Sequence, residues 1–439
     1  MSTKPETWHD LPVRDFRGFV RSFRLHPTHS KLVGGSLVML AGTVLVALLN
    51  FGFNIAVGRM LGAAAFSQAA AAVTLLMLVS CLTLAFQMVC AKFVARNTTF
   101  SAKSHVYRSL LRRAWGVGLS IGVVLILFSR QVAEWLRMPS PVLVIVLAVG
   151  MAFYVPLGVR RGGMQGVYRF QRLSLNYVLE TLVRFLATLV LIGMGYGILG
   201  AVLALSISVL AAYCFPPTPI ELREQPKAGI PASFGEGTQA IIFFVGQVII
   251  NNIDILMVKH FFPPDVAGLY AAVALVGRVL YIASWQVVSA MFPIAAAGKS
   301  ESEARESWVV LAIPLVLVTL MCLGFMLTLG LFPGPILHLL FGARLNAGPD
   351  SNHLLVLYAA ATGGYALSVV LMAYEMSRRI ANTGWLQLVI SGLVVIGISL
   401  FHDTLRDVIV VQQVLMAVLF LAVAVPFVRT RRVQTLGAA

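Results

Sequence analysis

The sequence predicts an all-α, polytopic membrane protein whose twelve transmembrane helices divide into two lobes of six. Three observations favour this fold class. Hydrophobic residues make up 59% of the 439 residues and charged residues only 11%, whereas an average soluble domain is about 25% charged. Twelve apolar runs are long enough, or nearly so, to cross about 30 Å of hydrocarbon. A proline-rich polar segment separates the first six runs from the last six.

Short polar connections join the apolar runs, and none of them has the length of a soluble domain. Residues 193–197, with the sequence GMGYG, divide the fifth run from the sixth and are typical of a tight turn. The twelve predicted helices lie at residues 33–57, 68–94, 111–129, 141–159, 173–194, 196–215, 237–258, 266–296, 307–332, 352–375, 383–401 and 407–428.

Lys and Arg residues are distributed unequally between the two ends of the predicted helices. Of the 33 Lys and Arg residues, 25 lie in the termini and the even-numbered connections, and six lie in the odd-numbered connections. Because positively charged loops stay in the cytoplasm, this asymmetry predicts twelve helices with both termini cytoplasmic. Orientation and contact with anionic lipid headgroups therefore explain the net charge of +16 better than nucleic acid does.

The polar segments set the predicted domain boundaries. Four arginines between residues 12 and 27 recur every three or four residues, opposite phenylalanines. This pattern favours an amphipathic interfacial helix, and a disordered basic tail is the alternative. The predicted domains are a cytoplasmic tail at residues 1–32, an N-terminal lobe with helices one to six at 33–215, a cytoplasmic proline-rich linker at 216–234, a C-terminal lobe with helices seven to twelve at 235–428, and a cytoplasmic tail at 429–439.

A weak internal repeat supports the division into two lobes. At an offset of 201 residues and without gaps, Asn50 aligns with Asn251, and Arg59 falls one place from Lys259. Because six helices in each lobe preserve the orientation, such a repeat relates the lobes by an axis along the membrane normal.

Four charged residues lie well inside apolar runs: Glu180, Arg184, Asp254 and Arg278. A charge near the bilayer centre costs about 2.5–3.5 kcal/mol on insertion scales. Such residues usually face a bundle interior or a watery cavity, which makes them candidates for function. At a rise of about 1.5 Å per residue, both arginines lie near the midplane, one in each lobe, and Asp254 lies nearer the outside.

These charges have structural as well as functional interpretations. Glu180 and Arg184 are four residues apart, a spacing that predicts an intrahelical ion pair. Arg278 could pair with Asp254 across the helix hairpin of residues 251–295, or Asp254 could be a protonatable site. Because Arg suits bidentate recognition of phosphate, two midplane arginines facing one cavity could hold a diphosphate.

The sequence offers little enzyme chemistry. The eight histidines and four cysteines lack metal-ligand or CxxC spacing, and neither GxSxG nor a Walker A motif occurs. The sequence therefore predicts neither an enzyme nor a bound metal or cofactor. Basic residues near the predicted cytoplasmic mouth serve either as topology determinants or as a funnel for an anionic headgroup; they are Lys92, Arg96, Arg160, Arg161, Arg169 and Arg172.

Four stretches of the sequence are similar to motifs of a known family and follow one another at the distances along the chain that are usual in that family. VGRMLGAAAFSQAAAAVTLL is similar to an Arg-x-Leu-Gly turn, with Arg59, Leu61 and Gly62 in place, although Ser67 stands where the family often has Gly. The others are RGGMQGVYRFQRLSLNYVLETLVRF, residues 254–293, and ILHLLFGARLNAGP. In this order they resemble the polysaccharide-export flippases, the Wzx-like group of the multidrug/oligosaccharidyl-lipid/polysaccharide (MOP) exporter superfamily.

The resemblance implies a MATE-like MOP fold, with two six-helix lobes around a central, often cationic cavity. It implies alternating-access movement of an undecaprenyl-diphosphate-linked oligosaccharide from the cytoplasmic to the periplasmic leaflet of the bacterial inner membrane, with proton or sodium coupling. A polysaccharide polymerase or chain-length regulator would be a partner. We expect Arg278 to bind the diphosphate and Arg184 to assist. We expect Asp254 to gate or couple, and Arg59 and Tyr270 to make further substrate contacts.

Three other functions are alternatives. A cation-coupled drug antiporter of the same superfamily would need cavity carboxylates, whereas the N-terminal lobe has one embedded acid, Glu180. A membrane glycosyltransferase or polymerase would need a sizeable outer loop or an acid cluster, and the longest outer connection, residues 333–351, has no such cluster. A non-transporting scaffold would leave the embedded arginines unexplained.

Overall fold

The computed structural model describes the backbone of residues 27–216, 220, 238–297, 304–342, 350–378 and 383–436. It describes side chains at residues 38–216, 220, 242–288, 291, 310–342, 353–375 and 383–425. The arginine-rich segment before residue 27, nearly all of the linker and the side chains of the C-terminal tail lie outside these ranges. The predictions made for them therefore stay predictions.

The described residues form fifteen helices and no strand. In the first half they are α1 (Pro27–Leu61), α2 (Ala63–Arg96), α3 (Phe100–Leu127), α4 (Ser129–Trp135), α5 (Pro141–Gly166), α6 (Phe170–Gly193) and α7 (Gly197–Tyr213). In the second half they are α8 (Thr238–Ile250), α9 (Ile253–Phe261), α10 (Pro264–Ala297), α11 (Ala304–Leu331), α12 (Pro333–Phe341), α13 (Asp350–Arg378), α14 (Leu386–Leu400) and α15 (Leu405–Leu436).

Each of the twelve predicted runs corresponds to helix in the described part of the chain. Ten helical stretches are long and apolar enough to span a membrane, and α7 and α14 are shorter apolar helices. α8 and α9 together make one span, interrupted at Asn251 and Asn252. The short helices α4 and α12 lie in connections and were not predicted. α1 begins at Pro27, within the segment predicted as a tail.

Local sequence explains where several helices begin and end. Gly62, at a φ of 83°, turns the chain between α1 and α2 in a conformation that a side chain disfavours. Gly195, at a φ of 91°, does the same in the predicted 193–197 turn. The Ser140 hydroxyl accepts a hydrogen bond from the Val142 backbone N–H at 3.2 Å, which caps the start of α5.

Helices of each half pack mainly on one another. In the first half, α5 packs against α2, α3 and α7, and α6 packs against α1 and α7. In the second half, α13 packs against α10, α11 and α15, while α14 packs against α8 and α15. The described helices thus form two lobes, one from each half of the chain.

Glycines at four-residue spacing bring α5 unusually close to α2. A Cβ added to Gly158 would lie 2.3 Å from the Thr83 carbonyl oxygen, and one added to Gly162 would lie 2.5 Å from the Gln87 carbonyl oxygen. Small residues repeated every four positions allow this close packing inside a membrane. The sequence around residues 158–166 is therefore a packing motif.

The two lobes meet through α2, which packs against α8, α9 and α10. We call the end of the bundle where α1 turns into α2 and α9 into α10 the Gly62 end. There a Cβ added to Gly268 would lie 2.0 Å from the Ala63 carbonyl oxygen. Lys259 Nζ donates to Ser67 Oγ across the lobe boundary at 2.9 Å. These contacts close the bundle at the Gly62 end.

Candidate functional site

A cavity of about 350 Å³ lies between the two lobes. α1, α2 and α6 line it from the first lobe, and α9 and α10 line it from the second, together with the interruption before α9. Phe66 lines it and packs on Phe341 of α12, with ring centroids 5.4 Å apart, on the side of the Gly62 end. Among the described lining residues, the charged ones are Arg184 and Arg278, and the amides are Asn50, Asn54 and Asn252.

The two arginines predicted near the midplane therefore line one cavity, one from each lobe. Arg278 reaches it from α10, with 18% of its side chain exposed, and Arg184 reaches it from α6, with 5% exposed. The rest of the lining is mostly apolar, and it includes Met77, Val279 and Ile282. The cavity thus combines two cationic donors with a hydrophobic wall.

Arg278 is held by three partners from the second lobe. Its Nη2 donates to Asp254 Oδ1 at 2.8 Å, its Nε to the Tyr358 hydroxyl at 3.3 Å, and its Nη1 to Asn252 Oδ1 at 3.4 Å. The ion pair across the hairpin that the sequence offered as one interpretation is therefore present. A guanidinium fixed at several points presents its remaining N–H groups to a ligand with little loss of entropy.

Asp254 lies behind Arg278 and is not among the cavity-lining residues. It is 1% exposed, and its Oδ2 accepts from the Tyr270 hydroxyl at 2.8 Å and the Tyr358 hydroxyl at 2.9 Å. Gln412 Nε2 in turn donates to the Tyr270 hydroxyl at 2.6 Å. Tyr270 is thus buried in this hydrogen-bond network and does not line the cavity, and its contact with a substrate stays a prediction. Gating or coupling by Asp254 stays a prediction.

The break between α8 and α9 places Asn252 and Asp254. Asn251 Nδ2 donates to the Gln247 carbonyl at 2.8 Å, and Asn252 Nδ2 donates to the Val248 carbonyl at 2.7 Å. Such local side-chain bonds compete with continued helix. Asp254 then falls in the first turn of α9, where the helix dipole favours a negative charge.

Arg184 belongs to a charge network of the first lobe. Its Nη2 lies 2.5 Å from Glu180 Oε1, which confirms the predicted intrahelical pair, and its Nη1 donates to Asn50 Oδ1 at 2.8 Å. The other oxygen of Glu180, Oε2, lies 2.5 Å from Arg161 Nη2. Glu180 is therefore shared between two arginines.

Arg161 does not belong to the layer of mouth residues in which the sequence interpretation placed it. It is 2% exposed, its Nε donates to Asn176 Oδ1 at 2.8 Å, and its guanidinium lies 4.0 Å from the Tyr177 ring centroid. That interpretation was wrong because distance from a helix end does not reveal which face a residue occupies. The Arg161 side chain is instead buried against Asn176 and Glu180 of α6.

Arg59 also lies outside the cavity. It is exposed, and its guanidinium donates to the carbonyls of Leu339, and of Leu340 at 2.9 Å, in the last turn of α12. Carbonyls at a helix C-terminus are free to accept from a cation there. In this structure Arg59 thus joins the lobes at the Gly62 end, and its contact with a substrate stays a prediction.

Sequence reasoning missed several residues of the site. Asn50 could have been noticed, because the internal repeat aligns it with Asn251 and so suggests a polar residue at the same place in each lobe. Tyr358 and Gln412 are polar residues in apolar runs, but such residues are common and their partners are distant in sequence. Arg161 was noted, yet nothing local indicated that Glu180 would be shared.

Comparison with known proteins agrees with this architecture. The family described as polysaccharide biosynthesis protein matches residues 32–299, more than half of the chain. No curated protein sequence matches. An inward-facing multidrug resistance MATE family transporter of the MOP superfamily superposes with a TM-score of 0.71 at 14% identity, covering 92% of this chain and 99% of that chain. An outward-facing transporter of this kind gives a TM-score of 0.58, also at 14% identity, covering 92% and 96%.

The lipid II flippase MurJ in an inward closed conformation superposes with a TM-score of 0.68 at 12% identity, covering 88% of this chain and 87% of that chain. At such low identity these likenesses show the fold. The multi-pass helical bundle, its MOP-type fold and the family match over most of the chain lead to one conclusion: this chain belongs to the polysaccharide biosynthesis protein family.

Proposed function

We propose that this protein is a transporter that moves an undecaprenyl-diphosphate-linked oligosaccharide from the cytoplasmic to the periplasmic leaflet of a bacterial inner membrane. One observation carries the proposal: Arg184 and Arg278 come from opposite lobes and line the same cavity. Planar guanidinium groups bind phosphate oxygens in pairs, which suits a diphosphate. Membership of a polysaccharide biosynthesis family agrees with a glycan as the rest of the cargo.

The charge of the cavity walls favours an anion. Arg161, Glu180 and Arg184 together carry +1, and Asp254 balances Arg278. A drug antiporter for cationic compounds would need an excess of carboxylates, and the described lining residues include none. The sign of the walls therefore supports an anionic headgroup over a cationic drug.

The hydrophobic wall of the cavity suits a lipid tail. α1 and α10 both line the cavity but do not pack extensively on each other in the described ranges. Val279 and Ile282 line it and are 36% and 48% exposed at the surface of α10. A polyprenyl chain could leave the cavity between α1 and α10 and stay in the bilayer while the headgroup contacts the arginines.

Alternating access would require the closed Gly62 end to open. The contacts of Gly268 on Ala63, Lys259 on Ser67 and Arg59 on α12 all join the two lobes there. From the positive-inside rule we infer that this end faces the periplasm. We therefore propose that the described conformation accepts cargo from the cytoplasmic leaflet and that breaking these contacts releases it.

Genetic replacement in the native host tests the proposal. We expect deletion of the gene to abolish a surface polysaccharide and to accumulate its lipid-linked precursor, and the wild-type gene to restore both. Arg278→Ala should fail to restore the polysaccharide at a normal membrane level. Arg130→Ala is a matched control, because Arg130 is an exposed residue whose ion-pair partner among the described residues is Glu134 in α4, and it should restore fully.

Two outcomes would contradict the proposal. One is normal polysaccharide in the Arg278→Ala strain with normal protein level. The other is an intact polysaccharide in the deletion strain together with protein-dependent resistance to cationic drugs, which would favour the antiporter. Membrane fractions probed for the protein separate a loss of function from a loss of insertion.

A further inference from the structure

We propose that Arg161, which does not line the cavity, makes the cavity wall net positive and thereby selects an anionic cargo. The inference rests on the proposed function for the identity of that cargo. Arg161 acts on the cavity through a chain of contacts. This chain runs from Arg161 to Glu180, then to Arg184 and Asn50. Arg161 is thus a positioning and specificity residue without contact to the cargo.

The geometry of Glu180 is the first step. Both of its oxygens lie 2.5 Å from a guanidinium nitrogen, Oε1 from Arg184 and Oε2 from Arg161. Because each oxygen accepts a charge-assisted hydrogen bond from a guanidinium group, we treat Glu180 as an ionised carboxylate. Because one carboxylate faces two cations, the three residues keep a single positive charge.

The position of Arg184 is the second step. Of the three residues, Arg184 lines the cavity. Without Arg161, Glu180 would neutralise Arg184, and the first lobe would offer a neutral wall. The second lobe shows that arrangement, because Asp254 balances Arg278 one to one. The positive potential in the cavity therefore depends on the buried Arg161.

The fixation of Arg161 is the third step. Asn176 accepts from its Nε and itself donates to the Ala212 carbonyl at 2.8 Å, and the Tyr177 ring lies against the guanidinium. The aromatic face attracts a cation, and the effect strengthens when both are removed from water. These contacts hold the Arg161 charge in the protein interior. Glu180 alone can neutralise only one of its two arginine partners, so one positive charge remains.

One buried donor of Arg184 lacks a hydrogen-bond partner. Arg184 Nε is buried and has no hydrogen-bond acceptor among the described residues, although Nη1 and Nη2 both have one. A buried N–H without a partner is costly. An anionic cargo in the cavity would offset the excess charge, and a shift of the Arg184 side chain would let a cargo oxygen accept from this donor as well.

The test uses the full-length protein in lipid nanodiscs and two probes. Native mass spectrometry measures the affinity for undecaprenyl diphosphate, and the shift of the thermal unfolding midpoint measures binding of inorganic pyrophosphate. We expect Arg161→Gln to weaken both by about tenfold or more, since a neighbouring charge is lost in a low-dielectric site. Arg161→Lys loses the bond to Asn176 but keeps the positive charge beside Glu180, so binding should stay within about threefold of the wild type if the charge is what matters.

A charge-restoring variant separates an electrostatic role from a structural one. Arg161→Gln with Glu180→Gln leaves Arg184 with its full charge, so we expect binding to return to within about threefold of the wild type. If Arg161 only supports packing, the double variant will bind as poorly as Arg161→Gln, and the inference is overturned. An unchanged affinity of Arg161→Gln overturns it as well.

Each result also separates this inference from the proposed cargo. If pyrophosphate binds and follows the charge series while the lipid does not bind, the cargo is wrong and the role of Arg161 stands. If the lipid binds without following the series, the role of Arg161 is wrong and the cargo stands. Binding of neither probe to the wild type contradicts both. Should Arg161→Gln fail to fold, Glu180→Gln alone decides, because its added positive charge must tighten pyrophosphate binding.

Discussion

Asp254 organises the second lobe's wall of the cavity, so its removal has a calculable effect on stability. It is 1% exposed and accepts three hydrogen bonds, from Arg278, Tyr270 and Tyr358, at 2.8–2.9 Å. Asp254→Ala leaves the Arg278 charge without its counter-ion and two phenols without their shared acceptor. Removing one partner of a buried pair costs about 3–5 kcal/mol.

Further variants show how much of this cost comes from the unpaired Arg278 charge. Removal of both charges, in Asp254→Ala with Arg278→Ala, leaves no unpaired ion, so the cost of an uncompensated buried charge is absent. We therefore expect the double variant to lose less than the sum of the single variants by about 2–3 kcal/mol. Tyr358→Phe removes one donor to Asp254 and one acceptor from Arg278, and should cost about 1–3 kcal/mol.

Equilibrium unfolding in mixed detergent micelles, followed by the loss of helical circular dichroism, supplies the four free energies of this double-mutant cycle. Additivity within about 0.5 kcal/mol would refute the reasoning, because residues that do not interact behave in that way. A control cycle that pairs Asp254 with the exposed Arg130, which forms its ion pair with Glu134, should be additive.

Three further predictions concern the lobes. Gly268→Leu should hold the Gly62 end open, because its Cβ would meet a carbonyl of α2 at 2.0 Å. Gly324→Leu is the control and should leave this end closed, because Gly324 has open space around it. Spin-label distances between the lobes measure the opening. Arg59→Met should raise the open population about two- to tenfold by removing bonds to α12; unchanged distances would contradict it. Gly158→Ala should destabilise the first lobe by about 1–3 kcal/mol, unlike Gly116→Ala, in unfolding titrations.

The fold followed from the sequence because the bilayer imposes simple rules. Apolar runs of sufficient length become helices, and all twelve predicted runs are helical in the described ranges. The interruption at Asn251 and Asn252 lay within one apolar run, and periodicity does not detect a two-residue break. α4 and α12 are too short and too close to longer runs to be recognised from composition.

The site was predictable in part. Charged residues inside apolar runs are easy to recognise, because a charge in lipid is costly. Four were found in this way, and the interpretations included the pairs Glu180–Arg184 and Asp254–Arg278. The sharing of Glu180 with Arg161 was not predictable, because it depends on how α5 rotates against α6. Long-range contacts of this kind depend on packing that no spacing rule provides.

Flipping in a reconstituted system tests the central claim most directly. Proteoliposomes with a fluorescent undecaprenyl-diphosphate-linked oligosaccharide report its arrival in the second leaflet through an impermeant quencher. We predict that the wild type and Arg130→Gln move the lipid well above empty vesicles. Arg184→Gln and Arg278→Gln should each slow it by about tenfold or more, since each removes a charged donor. Wild-type rates in the variant with both substitutions, or no movement by folded wild type, would contradict an arginine-lined route for this cargo.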